Sequence, residues 1–125
     1  MKLPGQHLLK KEQRKYQRVY LEIGAKVSPA GDGEPIDAVI LNIGGGGIKL
    51  LLDRELPVVS KVQLEFALPD EENVIKCMGQ IIWRIPNKKW YMREPGGYHV
   101  GIKFLDLKQE EKAKLVRFVF SRKTR

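Results

Sequence analysis

The sequence predicts a mainly β domain: about six strands in an antiparallel sheet, closed as a barrel or sandwich, followed by one C-terminal α-helix. Three observations predict it. Short runs between residues 19 and 105 are rich in β-branched and aromatic residues, and several alternate apolar with polar. Clusters of turn formers separate these runs, with no helical period between them. From Lys108 the apolar period becomes helical. Strands that follow one another without crossover helices pair antiparallel and close on themselves.

The elements follow in order. VYLEIGAKV (19–27) alternates, with Val19, Leu21, Ile23, Ala25 and Val27 on one face, and SPAGDGEP (28–35) is a turn. IDAVILNI (36–43) and IKLLL (48–52) are strands flanking four consecutive glycines, and 53–60, with Pro57, is a loop. VQLEFAL (62–68) places Val62, Leu64, Phe66 and Leu68 inward, and PDEEN (69–73) turns. In VIKCMGQIIWRI (74–85), Ile75, Cys77, Ile81 and Trp83 share one parity. The loop PNKKWYMREPGG (86–97) leads to YHVGIKFL (98–105), where Val100, Ile102 and Phe104 alternate. In the helix, Leu115, Val116, Val119 and Phe120 form the apolar set, and Asp106 with Gln109 makes a capping box at its start.

A chain of 125 residues is one domain by length and can bury roughly two-thirds of its unfolded surface. Cys77 is the single cysteine, so no disulfide or thiolate metal cluster forms, and it reads as a small core residue. The N-terminus has only the apolar pair Leu8–Leu9, and no run is long enough for a membrane span; a cytoplasmic protein is expected. The net charge of +8 is concentrated at the ends. Lys2, Lys10, Lys11, Arg14, Lys15 and Arg18 face only Glu12 in residues 1–18, and Arg117, Arg122, Lys123 and Arg125 close the chain without an acid. Such ends suit an anionic partner, or serve solubility alone. No catalytic constellation is visible. Ser28, Ser60 and Ser121 lie outside any nucleophile motif, and His7 and His99 have no metal-ligand spacing, His99 reading as a surface residue. Asp70, Glu71 and Glu72 form a solvated turn. The expectation is a binding module, not an enzyme, with no cofactor and no metal.

Glycine weakens a strand interior, so LNIGGGGIKL (41–50) needs a reason: a sharp turn, or close approach of another group to bare backbone at positive φ. QRKYQRV (13–19) supplies a second motif, with Arg14 and Arg18 forming RxxxR directly before the first strand. An arginine fork matches both guanine O6/N7 and phosphate, and the Asn42 amide both donates and accepts.

RxxxR, then Asn42, Gly44 and Gly47 as N-x-G-x-x-G, then IIWRI, VGIKF and a final amphipathic helix: this order resembles the PilZ domain, a bacterial module that binds cyclic di-GMP. The resemblance spans about residues 10–122. It implies a six-stranded antiparallel β-barrel with a C-terminal helix from about residue 107. A basic arm, 1–18, would precede the domain, 19–125. It implies a second-messenger receptor in motility or biofilm regulation whose arm folds over the ligand and presents a new surface to a protein partner. The implied ligand residues are Arg14, Arg18, Asn42, Gly44, Gly45, Gly46 and Gly47, with Gln13, Lys15 and Arg84 as secondary candidates. Gln13 precedes the RxxxR, a position that in the family influences whether one ligand or an intercalated pair is taken up. Arg84 either reaches a phosphate or is a surface arginine. Gly44 stands where the family pattern has serine. The hydroxyl contact is therefore missing, at a cost of about 1 kcal/mol and roughly tenfold in affinity. Two rival expectations remain: an adaptor of the same fold that acts through protein contacts without the nucleotide, and a single-stranded nucleic-acid binder using the basic ends with Trp90 and Tyr91.

Overall fold

The computed structural model describes residues 18–29, 33–69 and 73–123; Gln13, Arg14 and Lys15 of the arm, His7, and the acidic turn at Asp70–Glu72 lie outside them. Six strands form one closed antiparallel barrel: β1 (Arg18–Pro29), β2 (Ile36–Gly44), β3 (Gly47–Leu52), β4 (Lys61–Ala67), β5 (Val74–Pro86) and β6 (Tyr98–Phe104). Around the barrel the order is β1-β2-β3-β6-β5-β4, and β4 returns to β1 through pairs such as Val27↔Leu64 and Ala25↔Phe66. The helix α1 (Gln109–Lys123) follows. Among the described strands, closure leaves no sheet edge exposed.

The interior is the set of inward residues that alternation selects. Val27, Ile40, Ile43, Leu50, Leu64, Ile81 and Val100 are fully buried. The inward set expected over 62–68 is buried throughout: Val62, Leu64 and Phe66 on β4, and Leu68 just after it. Phe66 also stacks on the Phe104 ring at 6.4 Å. Cys77 belongs to this core, and burial, with Asp106 and Glu111 nearby, pushes its thiol up to about 12.

The structure corrects three local expectations. First, Trp83 does not follow Ile81 inward: Ile81 pairs with Ile102 and Trp83 with Gly101, so Ile82 is an extra residue and the parity flips after it. Second, only half of the expected helix face packs. Leu115 and Val119 join the core, with Phe118 and Leu107 at its margin, while Val116 and Phe120 are exposed. Four neighbouring apolar positions cover more arc than one contact stripe on the barrel occupies. Third, Asp106 does not cap the helix. Its carboxylate accepts from the Met78 N–H at 2.6 Å, tying the turn to β5. The cap falls at Lys108, whose carbonyl accepts from the Lys112 N–H at 2.8 Å and whose own N–H donates to Glu111 Oε1 at 3.3 Å. That is the carboxylate half of a capping box, shifted two residues along the chain.

Candidate functional site

The glycine run is a β-hairpin tip. β2 ends at Gly44, Gly45 and Gly46 make the turn, and β3 starts at Gly47. Among the described residues positive φ occurs at Gly97 and Val59, not in this run, so the expected left-handed backbone there is not found. What Gly47 provides is room. A Cβ on it would land on the Ile102 carbonyl oxygen of β6. The tip is held against β6 by a bond from the Phe104 N–H to the Gly46 carbonyl at 3.0 Å.

Arg18 opens β1 opposite Gly44. Its Nε donates to Asn42 Oδ1 at 2.7 Å, and its guanidinium also donates to the Gly47 carbonyl at 3.3 Å. Among the described residues Asn42 is the buried polar side chain, at 7% exposure, and it lies outside the hydrophobic core. Buried amides need partners, and Arg18 is one for it.

Three register shifts bring these groups onto one face of the wall, the first on β1 between Tyr20 and Ile23. Ile40 pairs with Leu50 and Asn42 with Lys49, so Leu41 is an extra residue on β2, and it turns Asn42 outward although Ile40 points in. Ile82 does the same for Trp83 on β5. The register then runs Tyr20↔Asn42↔Lys49↔Gly101↔Trp83 across five strands. Residues paired across a ladder share a face. Gly101 has no side chain to fill its place in this row, and the Trp83 indole lies where a Cβ on Gly101 would be.

Along this row lies a cleft of about 400 Å³, within the range of roughly 300–1,000 Å³ usual for small-molecule sites. Arg18, Lys49 and Lys103 supply positive charge, and no carboxylate is among its described lining residues. Trp83 and Tyr20 supply flat aromatic surface, and Asn42 an amide. Its described lining also lacks serine, cysteine and histidine. The arrangement suits an anion that carries planar rings: cations for charge, aromatic faces for stacking, an amide for a ring edge.

Of the sequence-predicted residues, Arg18, Asn42, Gly46 and Gly47 line the cleft. Gly44 and Gly45 are buried in the hairpin beside it. Arg84 is not brought there. Its guanidinium donates to the Leu56 carbonyl at 2.8 Å and pairs with Glu55 at 2.9 Å, which anchors the loop between β3 and β4. Sequence reasoning missed Tyr20, Lys49, Trp83, Gly101 and Lys103. The one available signal was Gly101, a lone glycine inside an alternating strand, which marks close approach by another group. His99, expected at the surface, is half-buried, with Nε2 3.3 Å from Asn87 Oδ1. Burial, then Lys49 and Lys89, hold its pKa below the ordinary histidine value.

The sequence pattern of the PilZ domain family matches residues 12–121. Three solved structures share the fold. The Bacillus subtilis inhibitor of motility MotI/DgrA superposes with a TM-score of 0.76 at 18% identity, covering 90% of this chain and 52% of that one. Escherichia coli YcgR in complex with c-di-GMP gives 0.71 at 19%, covering 90% and 46%. The PilZ domain of Escherichia coli YcgR with c-di-GMP gives 0.69 at 19%, covering 90% and 95%. The chain thus spans about half the length of the first two. No protein of curated function matches it.

Proposed function

The chain belongs to the PilZ domain family, and from that premise we propose that it is a cyclic di-GMP receptor that performs no chemistry on the nucleotide and needs no cofactor. The observation that carries this reading is the Arg18–Asn42–Gly47 cluster set over a cleft lined by cations and Trp83. Two of the YcgR structures that share the fold hold this dinucleotide. In the proposal, Arg18, Lys49 and Lys103 receive the phosphates and guanine edges. Trp83 receives a purine face. Arg14, in the arm outside the described residues, closes from the other side. Gly46 and Gly47 leave bare backbone against which a base can lie. Ligand binding offsets the entropy of ordering the arm. The surface formed by arm, ligand and barrel is then read by a protein partner, in a cytoplasmic pathway of the motility type that the name of the Bacillus subtilis neighbour indicates.

Gly44 in the serine position favours a second reading, an adaptor of the same fold that no longer binds the nucleotide. Calorimetric titration with cyclic di-GMP separates the two, run beside an Arg14→Ala/Arg18→Ala variant, GTP and a generic oligonucleotide. The receptor predicts micromolar or tighter binding, at least 100-fold weaker in the variant and absent with GTP, with a change in Trp83 fluorescence. No heat at millimolar ligand sinks the receptor and leaves the adaptor. Salt-sensitive binding of the oligonucleotide alone selects a nucleic-acid binder.

A further inference from the structure

The connection between β5 and β6 displays two aromatic rings that the cleft does not use. Its sequence is NKKWYMREPGG, residues 87–97. The base is closed by hydrogen bonds: the Asn87 N–H donates to the Gly97 carbonyl at 2.9 Å, the Gly96 N–H returns to the Asn87 carbonyl at 2.8 Å, and the Asn87 side-chain amide adds the Gly96 carbonyl at 3.0 Å. Gly97 has φ +90, and a Cβ there would stand 2.6 Å from the Leu52 carbonyl oxygen, so glycine lets the loop lie against β3. The tip is a turn, with the Met92 N–H donating to the Lys89 carbonyl at 3.0 Å. On this held frame Trp90 is 95% exposed and Tyr91 68%, their rings edge to face at 5.5 Å. Lys88, Lys89 and Arg93 flank them, all exposed, against the single acid Glu94. Ile85, at the loop's base, is also exposed.

An indole exposed to that degree contributes nothing to the barrel's own burial. We propose that this loop docks the protein on an anionic lipid bilayer, with Trp90 and Tyr91 in the headgroup region and Lys88, Lys89 and Arg93 over the lipid phosphates. The size of the tip favours a bilayer over a protein surface. Two aromatic side chains on a convex turn offer roughly 300–500 Å², well short of the ~800 Å² per partner of a stable protein interface. A bilayer needs no matching concavity. It takes up amphipathic rings at the headgroup level and attracts clustered cations at an anionic surface. The hydrogen-bonded frame also means that little ordering remains to be done on contact. The net charge of +8 acts in the same direction. The inference stands apart from the cyclic di-GMP reading, since none of the loop residues lines the cleft.

The test is flotation of the full chain with vesicles of phosphatidylcholine containing about a third phosphatidylglycerol, beside vesicles of phosphatidylcholine alone. Binding to the anionic vesicles is expected, with Trp90 fluorescence quenched by brominated acyl chains. Trp90→Ala/Tyr91→Ala should weaken it at least tenfold with the melting curve unchanged, because both side chains are outside the core. Lys88→Glu/Lys89→Glu should weaken it comparably, and added salt should reduce it. Absence of vesicle binding overturns the proposal. Binding that survives Trp90→Ala/Tyr91→Ala also overturns it, by assigning the attraction to charge elsewhere in the chain. Oligo(dT) binding that depends on Trp90, without vesicle binding, assigns the loop to nucleic acid instead.

Discussion

Gly47 shows how one missing methyl group sustains the site. Its α-carbon faces the Ile102 carbonyl oxygen, a backbone atom that cannot rotate away as a side-chain end can. Gly47→Ala must therefore lift the hairpin from β6. It should destabilise the barrel by about 2 kcal/mol, in the range of overpacked cores. If the proposed receptor reading holds, it should also weaken cyclic di-GMP binding, because the Gly47 carbonyl that helps orient Arg18 moves with the hairpin. Urea titration reads the first effect and calorimetry the second; an unchanged urea midpoint would mean that the strands separate at no cost. Gly101 plays the companion part for Trp83, giving up its own side-chain volume to the indole. At this scale the glycines matter for the space they vacate, and the sequence alone did not say which atoms would occupy it.

The elements are shaped by single extra residues. Leu41 on β2 and Ile82 on β5 each displace the side-chain alternation by one, and each thereby exports one side chain, Asn42 or Trp83, to the outer wall. The second bulge is braced by a strained turn. Val59 has φ 66, an outlier for a β-branched residue. Its N–H donates to the Ile81 carbonyl at 2.8 Å, while the Ile81 N–H donates to the Ser60 carbonyl at 3.0 Å. The clamp sits directly before Ile82. Val59→Gly should relieve strain of about 1–3 kcal/mol and lose about 0.5–1 kcal/mol to glycine's greater freedom in the unfolded chain. A net gain of about 1 kcal/mol, and a rise of a few degrees in Tm, is the expected outcome. A lower Tm would show that the valine's packing outweighs its backbone strain. The plain strands were legible in advance: β4 has no bulge, and the alternation over 62–68 placed all four inward residues correctly. β5 was legible as far as Ile81 and misread after it.

For the whole molecule, closure is the controlling fact. β1 and β4 pair although they are far apart in the chain, and the core they complete encloses Cys77. With its thiol pushed up to about 12, Cys77 is protonated at neutral pH as well as shielded. Labelling by a thiol reagent should then report opening of the barrel. Protection of at least about 10³-fold relative to the unfolded chain is expected from ordinary domain stability, and it should vanish across the urea transition. Labelling in native buffer at the unfolded rate would reveal a local opening near β5 and contradict a barrel that opens as one unit.

The sequence by itself determined the kind and order of the elements, because strand and helix periods are local, and it marked Arg18, Asn42 and the hairpin glycines as site candidates through the family motifs they resemble. Only the tertiary structure decided which residues share a wall. A bulge one residue long leaves almost no trace in composition, yet it reverses every side chain beyond it. The row Tyr20–Asn42–Lys49–Gly101–Trp83 depends on three register shifts, on β1, β2 and β5, and on four strand registers. Registers are settled by how the whole barrel packs and closes, so the cleft exists only once all six strands are in place.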